Sequence, residues 1–138
     1  MRFAVDPEEV VRIAEVEFGV SLLNKGMLES ALASPFHTSD ETDLFPLLHE
    51  KAAVLFRSMI KNHPFVDGNK RIGTLVLLRF LADNGMRIRK DEEITLRLLA
   101  LLVASDIPFG TEDDEMEYLK QWFHKHLIRR PGRLPRLP

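Results

Sequence analysis

Residues 69–81 are NKRIGTLVLLRFL, the most apolar stretch of the chain apart from its first three residues and Arg79. Wound as an α-helix, this stretch is apolar on nearly every side, and helices of that kind lie at the centre of a core. Asn69 is a favourable N-cap, and Asn84-Gly85 is a typical helix end. The sequence therefore predicts a domain built around one buried helix.

Two long helices are predicted before this central one. The first begins at Asp6-Pro7, a capping residue followed by a proline suited to the first helical position, with Glu9 placed to complete a capping box. It ends near Gly19. Another lies within residues 44–62, where His63-Pro64 ends it. Its apolar positions have helical spacing: Ala52, Leu55, Phe56, Met59 and Ile60.

The rest of the chain completes an all-α prediction. A short helix is expected over 27–33, an exposed connection over 35–43, and a loop or short hairpin over 18–25. Residues 91–93 cap a further helix, for which we expect Ile94, Leu98, Leu101 and Leu102 to face the core. The last helix opens at Thr111 and carries Met116, Leu119, Trp122 and Phe123. No segment alternates with a period of two, as a strand would.

Composition limits the classes of function. The 138 residues suit one domain, and the formal net charge of −2 gives no reason to expect nucleic acid or an anionic membrane as partner. Cysteine is absent, which excludes disulfides and thiolate chemistry. The first residues lack the apolar core of a secretory signal, so none is expected, and no apolar run reaches the roughly 20 residues of a membrane span. A cytoplasmic protein is expected.

The arginine- and proline-rich C-terminal end is predicted to lie outside the folded domain. We expect residues 1–128 to form the domain and residues 129–138 to be a disordered basic tail. A weak partner-binding arm is the alternative for this tail.

The stretch between the second long helix and the central one holds the candidate chemistry. A helix N-terminus offers free N–H groups and a partial positive charge, which suit phosphate. Gly68 leaves room for a phosphate to approach the backbone. Asn69, Lys70 and Arg71 add a capping side chain, a point charge and a planar fork of donors. Together these residues predict an anion-binding cradle.

Two further side chains in this loop fit phosphate chemistry. Asp67 stands beside the cradle, where a carboxylate is suited to Mg²⁺. His63, four residues earlier, is suited to act as a general base near neutral pH. From these residues alone, a purely structural interpretation is also possible. His63 could cap carbonyls, 67–69 could be an ordinary turn, and the two cations could be solvated.

The nine residues 63–71, HPFVDGNKR, resemble the signature of the Fic/Doc superfamily, in particular its Doc (death-on-curing) toxin branch. Segments 28–32, 61–63 and 80–85 are also similar in order and spacing, so the resemblance spans about Val5 to Leu127. It implies a Fic fold with a flap near 18–26. It also implies that His63 deprotonates a target hydroxyl, that Asp67 holds Mg²⁺, and that the phosphates are bound by Gly68, Asn69, Lys70 and Arg71.

The reaction type depends on Lys70. AMP-transferring members resemble HPFxxGNGR with a further arginine three places on, whereas here Lys70 replaces the second glycine and Thr74 replaces that arginine. Both departures resemble the Doc branch, whose members transfer the terminal phosphate of ATP. The implied target is a hydroxyl of elongation factor Tu, so that translation stops. AMP transfer is the alternative.

The resemblance also implies a separate antitoxin that covers the active site. Some Fic proteins carry their own inhibitory helix, similar to [ST]-x-x-x-E-[GN]. The nearest candidate begins at Thr111 with Glu115, but Met116 follows and breaks the pattern.

The sequence gives less support to three rival functions. A metal hydrolase could draw on the histidines, but their spacing matches no known zinc site. A degenerate Fic module would bind without chemistry, although each chemically required motif position is filled. A DNA-binding helical protein would need a basic stripe, which the sequence lacks. The histidines are His37, His49, His63, His124 and His126.

Overall fold

The computed structural model describes residues 4–105 and 110–130. Within them the chain is mainly helical, and the predicted all-α class is confirmed. The helices are α1 (Pro7–Phe18), α2 (Lys25–Ala33), α3 (Leu48–Lys61), α4 (Asn69–Asp83), α5 (Glu93–Ala104) and α6 (Glu112–His126), with 3₁₀ turns at Ser34–Phe36 and Lys90–Glu92. Two antiparallel pairs join β1 (Thr38–Ser39) to β2 (Thr42–Asp43), and β3 (Met86–Ile88) to β4 (Leu127–Arg129).

The two central helices, α3 and α4, pack against each other closely. A Cβ atom on Gly73 of α4 would lie only 3.2 Å from the Cβ of Met59 and 3.4 Å from a side-chain carbon of Ile60 on α3. Glycine at this position therefore permits the short distance between the helices. Helices α2, α5 and α6 also pack against α3. All five predicted apolar residues of α3 are buried, as are six residues of α4: Ile72, Gly73, Val76, Leu77, Phe80 and Leu81.

Most helix ends have the caps that the sequence predicts. Asp6 accepts a hydrogen bond from the Glu8 N–H at 3.0 Å, and Gly19 ends α1 with a φ of 62°. Thr111 caps α6. Glu9 does not complete a capping box, because its carboxylate pairs with Arg79 of α4.

The N-cap of α4 differs from the prediction. Gly68, with a φ of 72°, occupies the cap, and Asn69 is the first helical residue. The left-handed backbone explains this shift, since glycine adopts it without the steric cost that a Cβ brings. The side chain of Asn69 is thereby free to bond within the loop.

The predicted core face of α5 is wrong. Its four predicted core residues are exposed, with exposed fractions of 73% for Ile94, 55% for Leu98, 54% for Leu101 and 39% for Leu102. The buried residues are Leu96, Leu99, Ala100 and Val103. Because α5 is apolar on both sides, periodicity could not select the side that meets α3.

The short strands lie away from the predicted hairpin region. Residues 19–24 form a loop with one bridge, between Leu22 and Phe65, whereas a hairpin occurs at 38–43 within the predicted exposed connection. Arg129 belongs to β4, and the Arg130 N–H donates to the Gly85 carbonyl, so ordered structure passes the predicted boundary at 128. The rest of the predicted tail, 131–138, lies outside the described residues. Among the described helices, none is long and apolar enough to cross a membrane.

Candidate functional site

The loop of residues 62–68 connects the two central helices and is anchored at its start and in its middle. The Asn62 amide donates to the Met27 carbonyl at 3.2 Å, which ties the end of α3 to α2. Pro64 and Phe65 are buried, and Phe65 is only 1% exposed. Pro64 and Phe65 therefore have structural roles, and the exposed side chains of the loop face solvent.

A second segment lies directly against this loop. The N–H groups of Leu23 and Asn24 both donate to the Pro64 carbonyl, at 2.8 and 3.0 Å, and the Val66 N–H donates to the Ser21 carbonyl at 3.1 Å. Residues 21–24 therefore pair with the loop in the manner of a short strand. They lie where the family resemblance placed the flap, next to His63.

His63 has an unusual backbone conformation. It is exposed and has a φ of 47°, in the left-handed region that a non-glycine residue occupies only when its surroundings hold it there. Such strain is common at functional sites. The ring Nδ1 lies 3.4 Å from the amide nitrogen of Asn69.

Asp67 is exposed at the tip of the loop. One of its carboxylate oxygens accepts a hydrogen bond from the Gly68 N–H at 2.7 Å. In the described part of the chain, no three His, Asp or Glu side chains form a metal-binding group. A lone carboxylate fits Mg²⁺, which takes one or two carboxylates and completes its shell with phosphate and water. It does not fit a structural zinc site, and the described histidines offer no ligand set for the rival metal hydrolase.

The start of α4 presents unbonded backbone donors beside Asp67. The first intrahelical bond to this end runs from the Ile72 N–H to the Gly68 carbonyl at 2.8 Å, so the N–H groups of the preceding three residues have no helical acceptor. The N-cap residue, Gly68, has no side chain that could cap them. Lys70 and Arg71 are exposed, and neither forms an ion pair within the described residues. The Arg71 guanidinium lies over the Phe18 ring, 4.8 Å from its centroid.

A groove extends from these cations along α4 and α5, with a volume of about 540 Å³. Its walls combine apolar side chains with three cations, and its lining residues are Phe18, Lys70, Arg71, Thr74, Leu75, Leu78, Arg97, Ala100 and Leu101. Sequence reasoning missed Arg97 and the groove. No local signal identifies them, because the groove exists only where the exposed edge of α5 meets α4.

All six predicted site residues lie in one continuous loop and helix start. A family model, the Fic/DOC family, matches residues 6–81, more than half of the chain. This chain belongs to the Fic/Doc family. Its all-α fold is the Fic fold, as the resemblance implied. Members of the Fic/Doc family are in general transferases that act on proteins and use nucleotide substrates.

A curated relative supports this membership. The chain is 35% identical over 92 residues to Toxin Doc of Mycolicibacterium smegmatis, covering 65% of this chain and 71% of that protein. No solved structure matches the chain. The Fic/Doc match ends at Leu81, so α5 and α6 lie beyond it. They nevertheless pack on α3, where Glu115 of α6 accepts a 2.5 Å hydrogen bond from Arg57.

Proposed function

We propose that this chain is a Doc-like toxin that transfers the terminal phosphate of ATP to a protein hydroxyl in the cytoplasm. The proposed target is a hydroxyl of elongation factor Tu, whose modification stops translation. The observation that carries the proposal is the placement of exposed His63 and Asp67 beside the unbonded N–H groups at the start of α4. These are the parts that phosphoryl transfer needs: a base, a metal carboxylate and an anion cradle.

In the proposed reaction, each of these groups has one role. The phosphates of ATP lie against the N-terminus of α4, where backbone N–H groups, Lys70 and Arg71 offset their charge. His63 takes the proton of the target hydroxyl while the hydroxyl oxygen forms a bond to the γ-phosphorus. The bond from that phosphorus to the β,γ-bridging oxygen breaks, and ADP leaves. Asp67 would hold Mg²⁺, which neutralises charge on the phosphates.

Lys70 and Thr74 favour phosphate over AMP transfer. Lys70 places an exposed ammonium group where AMP-transferring relatives have glycine, so less space remains beside the helix start. Thr74 stands where those relatives have an arginine, so this position offers no second cationic anchor. Its hydroxyl donates to the Lys70 carbonyl at 2.8 Å. AMP transfer, with pyrophosphate as leaving group, is the alternative.

A label-transfer assay tests the reaction. Purified protein, Mg²⁺ and bacterial lysate are incubated with ATP labelled at either the γ- or the α-phosphate. We expect label on one protein, elongation factor Tu, from the γ position only. The His63→Ala variant should lose transfer while the matched His37→Ala variant, which changes an exposed histidine outside the loop, retains it.

The other outcomes separate the alternatives. Label from the α position would establish AMP transfer and remove the kinase proposal. Absence of label from both positions, with elongation factor Tu and folded protein present, would favour the degenerate binding module.

A separate antitoxin is the second part of the proposal. The groove between α4 and α5 opens beside Lys70 and Arg71, and its cations suit an acidic, apolar segment of a partner. A segment seated there would block access of nucleotide to the helix start. Relatives with an internal inhibitory helix need no such partner, whereas here the motif fails at Met116.

Growth arrest provides the test of this partner. A genomic library from the source organism is screened for proteins that relieve arrest by the toxin. The Leu78→Glu and Arg97→Glu variants, both in the groove, should remain toxic but no longer be relieved. Leu98→Glu, on the exposed outer side of α5, is the control and should still be relieved. Equal relief of all three variants would place the antitoxin elsewhere.

A further inference from the structure

The side chain of Asn69 points into the loop, where it bonds to the backbone of one residue. The Phe65 N–H donates to the Asn69 Oδ1 at 2.9 Å, and the Asn69 Nδ2 donates to the Phe65 carbonyl at 3.0 Å. This pair of bonds defines the orientation of the amide. Exchanging its oxygen and nitrogen would place donor against donor and acceptor against acceptor.

The same amide nitrogen faces His63, the candidate general base. The Asn69 Nδ2 lies 3.4 Å from the Nδ1 of His63. An amide nitrogen donates and does not accept, so a hydrogen bond between these two atoms requires Nδ1 to be the acceptor and to carry no proton. Neutral His63 in this arrangement has its proton on Nε2 and its lone pair on Nδ1.

We propose that Asn69 is a positioning residue that selects this tautomer, and that Nδ1 of His63 is the nitrogen that takes the proton of the target hydroxyl. The inference rests on the proposed transferase function. In the step, the hydroxyl oxygen approaches Nδ1, its O–H bond breaks and an Nδ1–H bond forms. The oxygen electron pair forms the bond to phosphorus, and the imidazole becomes an imidazolium with protons on both nitrogens.

The geometry allows the target hydroxyl to replace the Asn69 amide as the hydrogen-bond donor to Nδ1 of His63. At 3.4 Å the contact between Asn69 and His63 is at the long end of hydrogen bonding, so a hydroxyl can displace it at small cost. The two bonds to Phe65 are shorter and hold the amide in the loop. Asn69 thus acts through His63, apart from any contact that its backbone N–H makes with phosphate.

The tautomer can be measured without any activity. Long-range ¹H–¹⁵N spectra of histidine-labelled protein, with the His63 signal identified by loss in His63→Gln, should show neutral His63 protonated at Nε2. In Asn69→Asp a carboxylate oxygen replaces the donor, so the proton should move to Nδ1. Asn62→Asp is the matched control, since its amide bonds to Met27 and not to the ring, and it should keep the wild-type tautomer. Wild-type His63 protonated at Nδ1 would overturn the proposal.

Kinetics test the choice of base nitrogen, with Mg²⁺ saturating and either label position as readout. Asn69→Asp should lower kcat about 100-fold or more, the lower range of general-base catalysis, and its added negative charge beside the phosphates should also raise KM for ATP. Asn69→Ala, which leaves no group to fix either tautomer, should lose less. A shifted tautomer with wild-type kcat would overturn the assignment of Nδ1. If wild-type protein transfers no label, the proposed function fails, and the spectra still decide the tautomer.

Discussion

At the scale of single residues, the loop combines two left-handed backbone positions with different chemistry. Gly68 reaches its φ of 72° without a Cβ, whereas His63 holds a φ of 47° despite its side chain. The Asn69 amide, bonded to Phe65, and the flap residues that bond to Pro64 hold the chain on either side of these positions. The loop is thus fixed by contacts before any substrate binds, as positioning of reacting groups requires.

Gly68→Ala tests the backbone requirement. A Cβ at this φ costs roughly 1–2 kcal/mol, and it would lie 3.5 Å from the Arg71 guanidinium. We expect a loss of that size in the free energy of unfolding in urea, together with weaker nucleotide binding by calorimetry. Gly26→Ala, in α2 and without a positive φ, is the control and should be neutral or stabilising. An unchanged stability and affinity for Gly68→Ala would contradict the role.

Asp67→Asn tests the metal carboxylate. The side chain is exposed, so its loss should hardly change thermal stability, while the Mg²⁺ concentration for half-maximal transfer should rise. Asp40→Asn in the β1–β2 turn serves as control and should leave the Mg²⁺ dependence unchanged. A titration in which Asp67→Asn matches wild type would remove Asp67 from the metal site.

At the scale of secondary structure, α5 has two apolar faces that contribute differently to the stability of the fold. Leu99 is 2% exposed and packs in the core, whereas the neighbouring Leu98 is 55% exposed. The sequence assigns both to a leucine-rich helix and cannot rank them. Only their contacts in the tertiary structure separate a residue that stabilises the fold from one that faces solvent.

The matched pair Leu99→Ala and Leu98→Ala measures this difference. Truncation of a buried leucine removes apolar burial and leaves a cavity, which costs about 2–5 kcal/mol. The exposed position should change stability by roughly 0.5 kcal/mol or less. Urea unfolding of the two variants gives both values, and equal losses would mean that the face of α5 is assigned wrongly.

At the scale of the whole molecule, the start of α3 meets the end of α6 through two histidines. The rings of His49 and His124 lie 4.5 Å apart. Burial is the largest cause that lowers the pKa of His49 below its usual 6.5, and His124 and Lys120 lower it further, while Glu50 opposes them. Helix α6 lies outside the family match, so this contact joins the matched and unmatched parts of the domain.

The His49 pKa predicts the sign of a pH effect. Because the pKa is lower in the folded chain, the unfolded chain binds the proton more readily, and stability falls as pH drops from about 6.5 through the folded pKa. We expect Tm to decline over this window in wild type and to decline less in His49→Gln. His37→Gln is the control and should follow wild type. A His49→Gln profile parallel to wild type would show that His49 does not contribute.

The sequence by itself determined the helical class, the caps of α1 and α6, the buried stripe of α3, the motif loop and the family. These features depend on neighbours within a few residues, where spacing and backbone preference suffice. The roles of the site residues stay predictions. Only the tertiary structure decided which face of α5 is buried, how β3 pairs with β4, and that Asn69 bonds inside the loop. It also decided that Lys51 is buried, donating to the Pro35 carbonyl at 3.0 Å. Each of these depends on a partner brought close by folding, and local sequence carries no record of that partner's position.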